Sequence, residues 1–193
     1  TACAAAVELA DKGKKVLLLE KRSHIGGNMY DEIDQSGTPV HIYGPHIFHT
    51  DSQRVYDYIK QYGFKEYQHR VLGYIDGKYV PIPFNFKSID MLFEHTVAES
   101  YKKALSNDFC GREKVSVSEL LGSGNNLIKE LGNFVFEKVF VNYTAKQWGI
   151  PAQNVDKSVI NRVPVKLSYD DRYFTDRYQL MPETSYSDVF NKM

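Results

Sequence analysis

The sequence predicts an α/β chain with a helical insertion and the opening of an antiparallel sheet. Three patterns carry that prediction. A helical run at residues 1–12 leads, after Gly13, into a segment at 15–19 whose residues 16–19 are unbroken apolar, the mark of a strand buried on both faces. Residues 87–148 carry mostly helical periodicity. From 155 onward that periodicity fades, and residues 163–167 and 173–180 look like strands, each bounded by charged or proline residues.

The elements follow in order. Ala5, Val7, Leu9 and Ala10 are among the apolar positions of the first helix, and Gly13 is its stop. Residues 29–34 and 39–43 flank Gln35-Ser36-Gly37, which predicts a hairpin. Asp51 is expected to cap a helix over 52–62, with Val55, Tyr58, Ile59 and Tyr62 on one face and Gly63 at its end. Asp76-Gly77 between residues 70–75 and 78–82 is a strong hairpin signal. Helices are expected at 89–93, 97–105, 117–121 and 127–141, and a last one at 186–192. Three segments result: 1–85, a helical part at 86–150, and 151–193 as the start of an antiparallel sheet.

Composition narrows the function. With 42% hydrophobic and 25% charged residues the chain is globular, and a formal net charge of zero argues against bulk nucleic-acid binding. No apolar run approaches the ~20 residues of a membrane span, and no signal peptide is visible. Cys3 and Cys110 stand far apart without metal-type spacing, so free thiols in a reducing, cytoplasmic setting are expected. No metal site is expected. The aromatic content, 14 Tyr and 11 Phe, fits a pocket that stacks rings.

Four constellations carry chemistry. Glu20 follows the apolar run, and Gly26-Gly27 come five residues later, ahead of Asn28. A dinucleotide-binding fold needs that order: a carboxylate to accept from the adenosine ribose, then glycines where backbone nears a cofactor. The interval to the glycine pair favours FAD over NAD, with Lys21 and Asn28 at the same edge. What should precede the first helix, a strand ending in a glycine-rich turn, is missing, so the chain reads as a fragment whose phosphate loop lies upstream of Thr1. The second, Tyr43-Gly44-Pro45-His46-Ile47-Phe48-His49-Thr50, lacks an acidic ligand and makes a poor zinc site. Either it is a turn with satisfied histidines, or its backbone lies against a flavin beside His46. The third, 142–149, holds Tyr143 and Trp148, suited to stacking on a nucleobase or, for the single Trp, to a core. In the fourth, Arg162 is an edge charge or a bidentate phosphate ligand. Asp170 and Asp171, being adjacent, form a turn and not a dyad.

Together E-K-R-x-H-I-G-G-N, Y-G-P-H-I-F-H-T, Y-Q-H-R-V, I-P-F-N, N-Y-T-x-K-Q-W-G, R-V-P-V and D-D-R-Y-F-T-D-R-Y-Q resemble the UDP-galactopyranose mutase family, in its order and at its spacings. The resemblance implies an FAD-binding Rossmann-like domain, a helical domain and an antiparallel sheet. It implies interconversion of UDP-galactopyranose and UDP-galactofuranose, for cell-surface glycans, by reduced FAD whose N5 forms a sugar adduct. By the same resemblance Glu20, Lys21, Gly26, Gly27 and Asn28 hold the adenosine side of FAD, and His46 and Ile47 lie beside its ring system. His69, Tyr143, Thr144 and Trp148 contact the substrate, Arg162 and Tyr173 hold its diphosphate, and a mobile loop follows Trp148 within 149–160. A homodimer is expected of the whole enzyme. Residues 1–193 alone should be inactive, because the phosphate loop and the C-terminal half are absent. Two rivals are an amine-oxidase-like flavoenzyme, which would not need Arg162 and Trp148 arranged for a nucleotide, and a non-catalytic nucleotide-sugar-binding fragment.

Overall fold

The computed structural model describes residues 2–151 and 154–193, and of these the side chains of all but Trp148 and Lys157. In chain order it holds α1 (Ala2–Asp11), β1 (Asp31–Ile33), β2 (Pro39–His41), β3 (Phe48–Thr50), α2 (Gln53–Lys60) and β4 (Phe64–Glu66). Then come β5 (Val71–Ile75), β6 (Lys78–Ile82), α3 (Phe86–Leu92), α4 (His95–Asp108), β7 (Lys114–Val115), α5 (Val117–Leu121) and α6 (Asn126–Val135). A π-helical turn, Phe136–Val141, leads into α7 (Asn142–Trp148), followed by α8 (Lys157–Ile160), β8 (Val165–Lys166), β9 (Tyr178–Pro182) and α9 (Tyr186–Lys192).

Two compact units form: residues up to 69 together with 174–193, and residues 70–173. The boundaries differ from the three segments expected at 85/86 and 150/151. The hairpin β5–β6 packs on α3, and Asp171 pairs with Arg70 and Lys87, so both flanks of the helical segment join it.

In the first unit β9 is the centre of an antiparallel sheet of order β3-β9-β4, with Phe48 opposite Leu180 and Phe64 opposite Pro182. Tyr56, Ile59, Phe64, Leu180, Tyr186 and Val189 form its core. Helix α9 is held at its N-terminus by buried Asp31, whose carboxylate accepts the N–H groups of Tyr186 (2.6 Å) and Ser187 (2.8 Å). That satisfies two of the donors a helix start leaves unpaired. The β1–β2 hairpin forms as expected, its turn tied by Asp34 Oδ1, which accepts from the N–H groups of Ser36 and Thr38.

Three expectations are corrected here. Ser52, not Asp51, caps α2, and Asp51 instead accepts the N–H of Arg177 at 2.8 Å. The strand expected at 173–180 begins only at Tyr178. The run at 15–19 forms no strand among the described residues: Leu17 and Leu19 are 81% and 86% exposed. An extended apolar run becomes a buried strand only when neighbours complete its ladder and cover its faces.

The second unit is helical with two small hairpins. Asp76 (φ 47°) and Gly77 (φ 82°) both take positive φ between β5 and β6, the requirement of a tight two-residue hairpin turn. Leu105, Val117, Leu120, Ile128, Leu131, Val135 and Val165 are buried at 0–1% exposure, each worth about 1.5–3 kcal/mol of apolar burial. The helix expected to run to 141 is interrupted by the π-helical turn, so α6 and α7 are out of simple register.

Candidate functional site

In the first unit, Glu20 follows the extended run and is fully exposed. Its Oε1 accepts the N–H of Arg22 at 2.9 Å, the main reason its carboxyl lies below the usual range. The guanidinium of Arg22 then donates to Asn28 Oδ1 at 2.8 Å and covers the Tyr43 ring at 4.5 Å. His24 stacks on Tyr30 at 3.8 Å, with its Nε2 2.8 Å from the Tyr43 hydroxyl. Glu20, Asn28 and a polar, aromatic shelf thus gather around Arg22. The spacing reading passed over Arg22 and Tyr43 as site residues. Arg22 stands inside the quoted motif, but that residue 43 closes on it is a tertiary fact. Lys21 is exposed beside them.

The glycine pair divides its tasks. Gly26 (φ 91°) makes room for α9, because a Cβ there would meet the Phe190 ring at 2.9 Å. Gly27 (φ 59°) has open space at the same position, so a ligand can approach its backbone. Both line a largely apolar cavity of about 970 Å³ with Glu20, Val55, Tyr58 and Phe64. A carboxylate, a glycine open to approach and an apolar cavity of this size are features a dinucleotide cofactor fits.

The loop 44–47 is held from both sides. The N–H of His46 donates to His41 Nδ1 at 3.0 Å and its carbonyl accepts from the Tyr186 hydroxyl at 3.0 Å. His41 therefore keeps Nδ1 unprotonated, consistent with burial lowering its pKa. His46 Nδ1 lies 2.8 Å from the Gly44 carbonyl, which makes that nitrogen a donor and leaves Nε2 to other partners. Ile47 is half-buried behind it. His69, also half-buried with its pKa lowered by burial, sits among aromatic rings, 6.1 Å from Tyr67 and 6.2 Å from Phe174.

In the second unit, Tyr143 is 64% exposed on α7, whereas Thr144 is buried at 4%. Trp148 ends that helix, and Gly149 (φ 67°) closes it with an N–H bond to the Ala145 carbonyl at 2.9 Å. The side chain of Trp148 lies outside the described residues, as do Ala152 and Gln153 of the expected loop. Arg162 is exposed. Tyr173 is half-buried, and burial is the first cause that pushes its phenol up. Tyr143 pushes the same way, and the charge of Arg162 opposes. Tyr143 and Arg162 thus each lie within electrostatic reach of Tyr173: a ring and a cation about a hydroxyl.

Residues 138–193 match the profile of the UDP-galactopyranose mutase family, and residues 1–62 match an NAD(P)-binding Rossmann-like domain. A probable UDP-galactopyranose mutase of Klebsiella pneumoniae is 35% identical over 93% of this chain and 47% of its own length. The UDP-galactopyranose mutase of Mycoplasma pneumoniae is 38% identical over 96% and 47%. The chain is related to the UDP-galactopyranose mutases. A dTDP-fucopyranose mutase of Escherichia coli is 33% identical over 96% of the chain and 49% of its own length. The crystal structure of a reduced UDP-galactopyranose mutase superposes with a TM-score of 0.58, at 18% identity, over 99% of this chain and 43% of that one. The α/β, Rossmann-like fold expected from the sequence is the observed one. The chain spans about half the length of the curated relatives it matches. Among the described residues no helix is long and apolar enough to cross a membrane.

Proposed function

We propose that these residues form the cofactor- and nucleotide-holding part of a flavin-dependent mutase that interconverts UDP-galactopyranose and UDP-galactofuranose. The observation that carries this is the placement of an exposed Arg162 and an exposed Tyr143 each within electrostatic reach of half-buried Tyr173. The guanidinium fork of Arg162 matches a diphosphate bidentately. Tyr173, with its phenol held protonated, donates a hydrogen bond to a phosphate oxygen. The exposed ring of Tyr143 stacks on the base, a contact worth about 1–3 kcal/mol. When the bond from the sugar to UDP breaks, negative charge grows on the diphosphate, and a fixed cation beside it stabilises that charge most.

Glu20 and Asn28 would hold FAD at its ribose, and Gly27 would let its backbone approach. When bound and reduced, FAD supplies the nucleophile, which is why no protein nucleophile is required. His46 would present its Nε2 on a loop fixed at both its N–H and carbonyl.

The test uses the natural polypeptide carrying these residues, reduced with FAD present and given UDP-galactopyranose without an electron acceptor. Furanose product is expected, with Arg162→Lys turning over far more slowly. Consumption of substrate only with an acceptor would instead mark an oxidase. A preference for dTDP-fucopyranose would keep the mutase chemistry and change the sugar.

A further inference from the structure

The segment 167–173 has neither helix nor strand, yet it carries Tyr173. Its start is tied by backbone, the Leu167 N–H donating to the Glu113 carbonyl at 2.8 Å and the Ser168 carbonyl accepting from the Phe86 N–H at 3.1 Å, and beyond that charge and side-chain hydrogen bonds hold it. The Tyr169 hydroxyl accepts from Lys102 Nζ at 2.9 Å and donates to Asp90 at 3.0 Å. Asp171 is shared by Arg70 (2.8 Å) and Lys87 (3.1 Å). Asp170 takes the fork of Arg172, Nε at 2.9 Å and Nη2 at 2.8 Å, and also its backbone N–H at 3.0 Å. Arg172 is thereby consumed within the loop, unlike the exposed Arg162.

Lys166 is the least expected member. It is the last residue of β8, paired opposite Lys114, and its N–H donates to the Phe84 carbonyl at 2.8 Å, so its backbone is fixed. Its side chain is only 4% exposed, and the ammonium donates to the carbonyl oxygen of Arg172, with Asp170 Oδ2 3.8 Å away. Burying an ammonium is costly, and burial lowers the pKa of this one. A methionine would fill the same space without that cost. What it could not do is hold the Arg172 carbonyl, which belongs to the peptide leading directly into Tyr173.

We infer that Lys166, braced by Asp170 and Arg172, is a positioning residue that fixes the Tyr173 hydroxyl for its diphosphate ligand. This rests on the assignment of Tyr173 to the diphosphate proposed above. A hydrogen-bond donor on an irregular segment is useful only when its backbone is held to within about 0.5 Å, and the Lys166 contact to the Arg172 carbonyl holds the peptide next to Tyr173.

The experiment is a double-mutant cycle on UDP affinity, measured by calorimetry, with Lys166→Met and Tyr173→Phe. Each single variant is expected to bind UDP roughly tenfold more weakly, the loss of one charge-assisted hydrogen bond. The double variant should bind no worse than Tyr173→Phe alone, because residues acting through one contact are not additive. Lys166→Arg, which keeps a donor and a charge, should recover most of the affinity. Losses that multiply to roughly a hundredfold in the double variant would overturn the inference, since Lys166 would then act independently of Tyr173. So would unchanged binding by Lys166→Met. Tyr173→Phe binding UDP as tightly as the natural protein would remove both this inference and the diphosphate assignment. Should Lys166→Met fail to fold, Asp170→Asn replaces it in the same cycle, with the same two outcomes.

Discussion

Replacing Gly132 by alanine is expected to destabilise the second unit, although alanine is the better helix former. Gly132 is buried in α6 against α5. A Cβ there would meet Leu120 Cβ at 2.8 Å and two backbone atoms, Leu120 C and Leu121 N, at 3.0 Å. Helix propensity alone favours alanine by about 1 kcal/mol. Overpacking costs about 1–3 kcal/mol, and the upper end applies because no rotamer change moves backbone or a Cβ. The net loss is about 2 kcal/mol, a fall in Tm of roughly 4–8 °C for a chain of this size. The consequence should reach the site, since α6 runs through the π-helical turn into α7 and Tyr143. Thermal unfolding by circular dichroism and UDP titration of the same sample give both readouts. A raised Tm would show that propensity prevails and that α5 and α6 separate freely.

Asp170, held down to about 2 chiefly by the Arg172 fork, gives a pH signature. A carboxyl depressed from an unfolded value near 3.9 stabilises above about pH 4 and loses that contribution as pH falls toward 2, worth at most about 2 kcal/mol at this partial exposure. The gap in urea midpoint between the natural protein and Asp170→Asn should close across that window, and a gap independent of pH would contradict the assignment. Gly26→Ala should lower Tm more than Gly27→Ala, because both strain a positive φ but only the first meets Phe190; equal losses would mean the ring moves aside. Glu20→Ala should weaken FAD binding without moving Tm, and retained affinity in a fluorescence titration would sink the ribose assignment.

What the sequence made legible was local. The turns at Asp76-Gly77 and Gln35-Ser36-Gly37 and the helices α1, α5 and α9 follow from turn chemistry, stops and periodicity, all written within about ten residues. Contacts across the chain decided the rest. Asp51 and Ser52 are both good caps by type, and the N–H of Arg177, more than a hundred residues away, draws Asp51 off. Strand β9 starts late because the carbonyls of Phe174 and Asp176 are taken by the Gln179 amide side chain (3.1 and 3.2 Å), which folds the preceding residues into a loop. The π-helical turn adds a residue to one helical turn, a register change that apolar periodicity does not reveal.

The candidate site divides the same way. Residue type singled out Tyr143 and Arg162, because stacking and bidentate phosphate binding each demand one kind of side chain; Tyr173 entered only through the family resemblance. Type could not single out Lys166, since a lysine ahead of Leu-Ser-Tyr-Asp-Asp reads as a surface charge. Its burial follows only from the pairing of β8 with β7 and the return of the loop over it. Thr144 stands apart from Tyr143. The motif groups it with Tyr143 on the substrate side, yet successive helical residues point about 100° apart. With Tyr143 64% exposed and Thr144 4% exposed, the two do not present one face. The Thr144 side chain faces the packed interior, where a threonine can hold α7 in the orientation that leaves Tyr143 exposed. Thr144→Val, which keeps the shape and removes the hydroxyl, should therefore alter Tm more than UDP affinity, and a loss of affinity at unchanged Tm would return Thr144 to the substrate.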